Sequence, residues 1–222
     1  TQPGVEAHGE LFLDQPRLSP AMAGRDDYRR FVEMHGTPGL TRVPRVFSYL
    51  NDLYRAPRTA GFKLMYAQLR RHPAILAYMA VRRVRVVHLV RCNHIDVVIS
   101  EELAKLTGAS HAQAGARTDV PMVRLDPETL LERLRRRSRT PRQGRCLIRL
   151  STCPFIEATY EALLEGEQEF ARICTFLGIP RPAAKLQSKL AKRGTRSHRD
   201  AIANYDEIRR VLDSTHFSSM LE

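Results

Sequence analysis

Apolar residues recur along this chain at two periods, and residues 84–108 carry both. The run Val84–Val90 is β-branched and nearly continuous, the pattern of a strand buried on both faces of a parallel sheet. Behind it, Ile95, Ile99, Leu103 and Leu106 share one helical stripe, and Gly108 is placed to end that helix. Shorter signals flank this unit. Tyr28–Met34 predicts a helix closed by Gly36, Pro38 and Gly39, and Val46–Tyr54 a second, stopped before Pro57. A strand around Phe62–Met65 leads into a helix over Ala67–Arg71 and its continuation over Pro73–Ala80. Asp126-Pro127-Glu128 is a helix start, with aspartate as cap and proline in the first turn, and Leu130, Leu131 and Leu134 form its inner face. Arg145–Leu150 reads equally as a helix end or a strand. Phe155–Tyr160 alternates as a strand does. Glu161–Leu177 is helical, with Leu164, Phe170, Ile173 and Leu177 inward and Gly178 after them. Residues 1–30 show little periodicity, and Gly108–Thr118 reads as a polar loop. Strands separated by helices predict a parallel α/β sheet.

Composition narrows this picture. A length of 222 residues supports one sizeable core, so a single domain over 1–222 is expected. The chain is 43% hydrophobic, yet no apolar run approaches a membrane span and no signal-peptide pattern is present, so a cytoplasmic location is expected. A formal net charge of +12 points to anionic partners. The four cysteines, Cys92, Cys146, Cys153 and Cys174, form no CxxC pair; Cys146 and Cys153 would pair only in an exported protein. The eight histidines form neither HxxxH nor HExxH, so no metal site is expected.

Candidate chemistry begins where the central strand ends. Arg91 is delivered at its carboxyl end, the place where open α/β sheets bind ligands, and Ser100 follows nine residues later in the second turn of the helix. An arginine beside a helix start, backed by a hydroxyl, suits a dianionic phosphate. Spacing alone leaves two readings standing, a phosphate receptor and a solvated strand-end arginine with a surface hydroxyl.

Four segments in order carry a resemblance: AHGELF from Ala7, GFKLMYAQ from Gly61, the VRVVHLVRCNHIDVVISEELAKLTG stretch, and FIEATYEALLEGEQEFARICTFLGIP from Phe155. Together they resemble the sulfotransferases that use 3′-phosphoadenosine 5′-phosphosulfate (PAPS), in particular the bacterial, trehalose-sulfotransferase-like branch. The resemblance runs from about Ala7 to the ANYDEIRRVL segment, most of the chain. It implies a P-loop-type three-layer fold, a parallel sheet flanked by helices. It also implies sulfuryl transfer from PAPS as co-substrate to a hydroxyl of a carbohydrate or small-metabolite acceptor, without a metal. By the same resemblance, Arg91 and Ser100 hold the 3′-phosphate, and Glu10 is the general base, with His8 as a local rival. Lys63 matches the lysine of the family's strand, where it would offset charge on the sulfuryl group. Tyr66 and Gln68 would line the acceptor pocket. The basic loop AKRGTRSHRD resembles one that would bring Lys192, Arg193 and Arg196 over the nucleotide, Asn204-Tyr205 opens a closing helix, and Tyr160 and Glu161 would orient neighbouring segments.

One departure stands out. The family's Arg-Ser-Gly-type phosphosulfate loop should precede Glu10, but only nine residues do, whereas a strand, loop and helix need on the order of 30. The chain also begins at threonine. The expectation is therefore that the sequence starts inside a longer protein and lacks the donor-loop strand, the other reading being a degenerate homologue. The rival function is a non-catalytic anion- or nucleic-acid-binding protein of the same fold. The clusters Arg82-Arg83-x-Arg85 and Arg135-Arg136-Arg137 invite it, but no interleaved aromatics or helix-turn-helix accompany them, so nucleic acid is not the expected partner.

Overall fold

A computed structural model describes residues 4–12, 28–34, 42–55, 59–108, 112–113, 121–181, 190–191 and 197–221. The chain is mixed α/β and mostly helical, with two small parallel two-stranded sheets. It divides into two compact units: unit 1 takes residues 1–88, 144–158 and 166–182, and unit 2 takes 89–143, 159–165 and 183–222.

Unit 1 opens with strand β1 (Val5–Glu10), in a region with little sequence periodicity. Helices α1 (Tyr28–Met34) and α2 (Arg42–Leu53) follow, then β2 (Thr59–Lys63), α3 (Tyr66–Arg71) and α4 (Ala74–Val81). β1 and β2 pair in parallel, Val5 opposite Thr59 and His8 opposite Phe62, and a register irregularity after His8 sets Glu10 opposite Lys63. β2 therefore ends before Leu64 and Met65, earlier than predicted, because its partner strand rather than its own apolar residues defines its span. The core of this unit gathers Phe12, Val46, Leu50, Ile75 and Tyr78, each no more than 1% exposed. Phe12 meets Tyr28, Tyr49 and Phe62 with ring centroids 5.0, 5.6 and 5.8 Å apart, so the residue after Glu10-Leu11 is the hub of an aromatic cluster. Burying one such ring contributes about 1.5–3 kcal/mol.

Strand β3 (Val86–Val90) pairs with β5 (Phe155–Thr159). β3 is less enclosed than its composition predicts: His88 is buried, while Leu89 is 51% exposed. Helix α5 (His94–Thr107) stops at Gly108, which is left-handed with φ 64°. Ile95, Ile99 and Leu103 are buried as expected; Leu106, at the frayed end of the stripe, is 63% exposed. A short antiparallel pair joins β4 (Ala112–Gln113) to β6 (Leu190–Ala191).

Helix α6 (Pro127–Leu150) resolves the ambiguity over Arg145–Leu150 in favour of helix, and runs through Pro141. Leu130 and Leu134 before that proline, and Gly144 and Ile148 after it, are buried. Burial on both sides offsets the roughly 3 kcal/mol a helix-interior proline costs. Beyond β5 the single helix expected over Glu161–Leu177 is two, α7 (Tyr160–Glu165) and α8 (Glu167–Leu177), divided at Gly166, whose backbone is extended. Glycine is a poor helix former, and Leu164, expected inward, is 55% exposed.

Unit 2 completes its core with α9 (His198–Ala201), α10 (Tyr205–Leu212) and a 3₁₀ turn (Ser218–Leu221). Ile95, Val98, Leu134, Ile202, Ile208 and Leu212 are fully buried there. The Asn204 side chain donates to Leu125 O and accepts from Leu125 N, acting as an extra strand partner where Val123 bridges Ile202. The described strands make three separate two-stranded pairs rather than one wide sheet, so the α/β character is observed at this coarser level. No described helix is long and apolar enough to cross a membrane.

Candidate functional site

In unit 2 Arg91 stands at the end of β3 and Ser100 lies on α5. Arg91 emerges from β3 and lays its guanidinium over the Tyr160 ring, 4.5 Å from the centroid. Its Nη2 lies 3.6 Å from Asp96 Oδ2, and its Nε is buried without a hydrogen-bond partner. Asp96 and Ser100 are four residues apart on α5 and so share a face of that helix. His198, from the start of α9, reaches the other Asp96 oxygen at 2.9 Å. The result is one carboxylate between two basic side chains, beside a hydroxyl.

The helix start itself is not the receptor expected from its position. Asn93 Oδ1 accepts from the Ile95 and Asp96 amides at 3.0 and 3.2 Å. The Glu161 carboxylate takes the Cys92 and Asn93 amides at 3.0 and 3.1 Å. Burial opposes charge on Glu161, but these amide bonds and the nearby Arg91 outweigh it and hold the carboxyl below its usual range. Those N–H groups are thus satisfied within the protein.

In unit 1, Glu10 and Lys63 are register partners across β1 and β2, and Lys63 Nζ lies 2.9 Å from Glu10 Oε1. The lysine is 60% exposed and the glutamate only 10%. Gln68, buried on α3, donates Nε2 to Glu10 Oε2 at 3.2 Å while its Oε1 accepts the Met65 amide at 2.9 Å. The helix start therefore aims Gln68, and Gln68 orients the carboxylate. His8, the rival base, is 3.6 Å from Glu6 instead. Tyr66 sits at the first position of α3 with its hydroxyl 2.5 Å from His88 Nε2.

Lys192, Arg193 and Arg196 lie outside the described residues. Their loop leads into Ser197, which caps α9 just before His198. Asp96, Tyr160 and His198 were not assigned to the phosphate site from sequence; only the Asp96–Ser100 spacing was legible there. His88 had a signal, the one polar residue within Val86–Val90. A cleft of about 670 Å³ in unit 1, lined by Ile156, Gln168, Ala171, Arg172 and Phe176, contains none of the predicted residues. Arg172, one of its two arginines, is engaged by Glu169 and the Glu157 carbonyl. Among the described residues no three His, Cys, Asp or Glu side chains converge as a metal site would require. Searches against protein-family models, curated proteins and solved structures find no match to this chain.

Proposed function

We propose that this protein is a sulfotransferase that moves a sulfuryl group from PAPS to a hydroxyl of a carbohydrate or other small metabolite. The observation that carries the reading is the setting of Arg91. It has a guanidinium stacked on an aromatic ring and a buried Nε–H with no partner, and it lies beside Asp96, which shares a helix face with Ser100. A phosphate dianion would supply the missing acceptor, and the two basic side chains, Arg91 and His198, would offset the Asp96 carboxylate beside it. PAPS brings an activated sulfur–oxygen bond; the chain's own residues bind, orient and handle the proton. In unit 1 the Lys63–Glu10–Gln68 arrangement supports the acceptor side. Glu10 accepts the hydroxyl proton as attack proceeds in line, and Lys63 offsets charge developing on the transferred group. The P-loop-type architecture belongs to the same proposal.

The test is calorimetric titration with 3′,5′-adenosine bisphosphate. The intact chain is expected to bind, and Arg91→Ala to bind at least about tenfold more weakly, the loss of one charge-assisted contact. Equal affinity of the two proteins removes the phosphate assignment. A second reading, a polyanion-binding protein, draws on Arg135, Arg136, Arg139 and Arg142. These are exposed on α6, whereas Arg133 and Arg137 pair with Glu101 and Glu102. Tight, steeply salt-dependent binding to duplex DNA without nucleotide binding would favour it.

A further inference from the structure

Unit 1 holds a polar chain centred on His88, a residue the roles above leave unused. His88 on β3 is 5% exposed and has both ring nitrogens engaged. Tyr66 Oη, from α3, lies 2.5 Å from Nε2, and Glu157 Oε2, from β5, lies 2.9 Å from Nδ1. Arg145, from α6, grips the same carboxylate with two N–H groups, Nε to Oε2 at 2.7 Å and Nη2 to Oε1 at 2.5 Å. The tyrosine ring is clamped against α6, since a Cβ at Gly144 would fall 2.1 Å from its Cε1.

The charge states follow from these neighbours. Hydrogen bonding from Arg145, joined by that from His88, prevails over burial and holds the Glu157 carboxyl below its usual range. Burial, with help from Glu157 and against Arg145, pushes the Tyr66 phenol up. Glu157 is therefore an ionised acceptor and Tyr66 a neutral O–H at neutral pH. A carboxylate has no proton to give, so the His88–Glu157 bond requires hydrogen on Nδ1. In the neutral ring Nε2 is then the acceptor and Tyr66 donates to it. The buried imidazole is a base that Glu157 orients and half-buried Tyr66 connects to the surface.

We propose that Tyr66, His88 and Glu157 form a proton relay that takes the proton of a neutral hydroxyl compound, an alcohol or sugar hydroxyl, bound to Tyr66 Oη. The inference rests on the sulfuryl-transfer reading and adds a second proton acceptor to Glu10, whose two carboxylate oxygens already accept from Lys63 and Gln68. As the acceptor's O–H bond breaks, its oxygen forms the new bond to sulfur. The sulfur–oxygen bond to the donor's phosphate breaks, and its electron pair leaves on that phosphate. The acceptor's proton joins Tyr66 Oη while the tyrosine's own proton moves to His88 Nε2. Tyr66 is neutral before and after, and Glu157 offsets the imidazolium charge.

Two measurements on the whole chain test this. Nitrogen-15 NMR of the histidines at pH 7.5 is expected to find His88 as the Nδ1–H tautomer, with Tyr66→Phe shifting its Nε2 signal. An Nε2–H tautomer or an imidazolium at that pH overturns the relay. In PAPS-dependent turnover with a panel of sugars and alcohols, the residual activity of Glu10→Gln is expected to fall a further tenfold or so on adding Tyr66→Phe, or His88→Gln in its place. The affinity for 3′,5′-adenosine bisphosphate should stay unchanged. A folded Glu10→Gln/Tyr66→Phe chain as active as Glu10→Gln alone sinks the relay and leaves sulfuryl transfer standing. A wild-type chain that sulfates no acceptor ends the sulfuryl-transfer reading and the relay's reaction with it.

Discussion

Asn93 joins three parts of unit 2. Its Oδ1 caps α5, its amide feeds the Glu161 carboxylate, and its Nδ2 donates to Met220 O at 2.9 Å. The capping role belongs to a residue type that favours helix starts, although the apolar stripe alone does not single it out. The Met220 tie was not legible in the sequence, because it joins residues 127 apart. Asn93→Ala is expected to destabilise the protein by about 1–2 kcal/mol, a lost cap plus a lost side-chain bond, as read by chemical denaturation. The same change should weaken nucleotide binding, since Arg91 and Asp96 flank the cap. Arg91 itself was readable from its place after a strand, but its stacking on Tyr160 depended on a segment some 70 residues later in the sequence.

Within elements, the decisive position is Gly144. Apolar periodicity does not single it out, whereas in the fold it lets that helix accept the Tyr66 ring. Gly144→Ala is helix-favouring locally, by roughly 0.5–1 kcal/mol. The collision with Tyr66 opposes this, and overpacking of this kind costs about 1–3 kcal/mol. A net loss of thermal stability is expected, together with loss of the Tyr66–His88 hydrogen bond in the histidine NMR spectrum. Were packing at this point loose, the substitution would raise the melting temperature instead. Gly166 shows the converse. Apolar spacing carried a helix prediction straight across it, because periodicity registers side chains and not the backbone freedom of one residue.

At the scale of the whole molecule, several titrating groups set the pH range of stability. Burial, then the Arg137 charge, lowers the His94 pKa against a smaller opposing effect of Glu161. Folded His94 therefore stays neutral where the unfolded chain takes up a proton, and stability falls as pH drops below about 6.5. Glu157 and Glu161 have depressed pKa values in the fold. Their contributions are complete above the ordinary carboxylate range and disappear as pH falls through their folded values. Denaturation midpoints measured from pH 8 to pH 3 are expected to decline in two stages, the first near neutrality and absent in His94→Gln. A first stage that persists in that variant would assign it to another group.

The sequence by itself determined the helices with strong periodicity, the cap at Asp126, the stops at Gly108 and Gly178, and the placing of Arg91 beside α5. These depend on neighbours within a turn or two, so a linear pattern encodes them. Only tertiary structure decided that Val5–Glu10 is a strand, that Glu10 faces Lys63, that Glu161 occupies the amides at the start of α5, and that His88 joins Tyr66 to Glu157. All but the Tyr66–His88 contact, which spans 22 positions, are meetings of residues more than 50 positions apart, and hydrophobic spacing is silent about which distant polar groups burial will bring together.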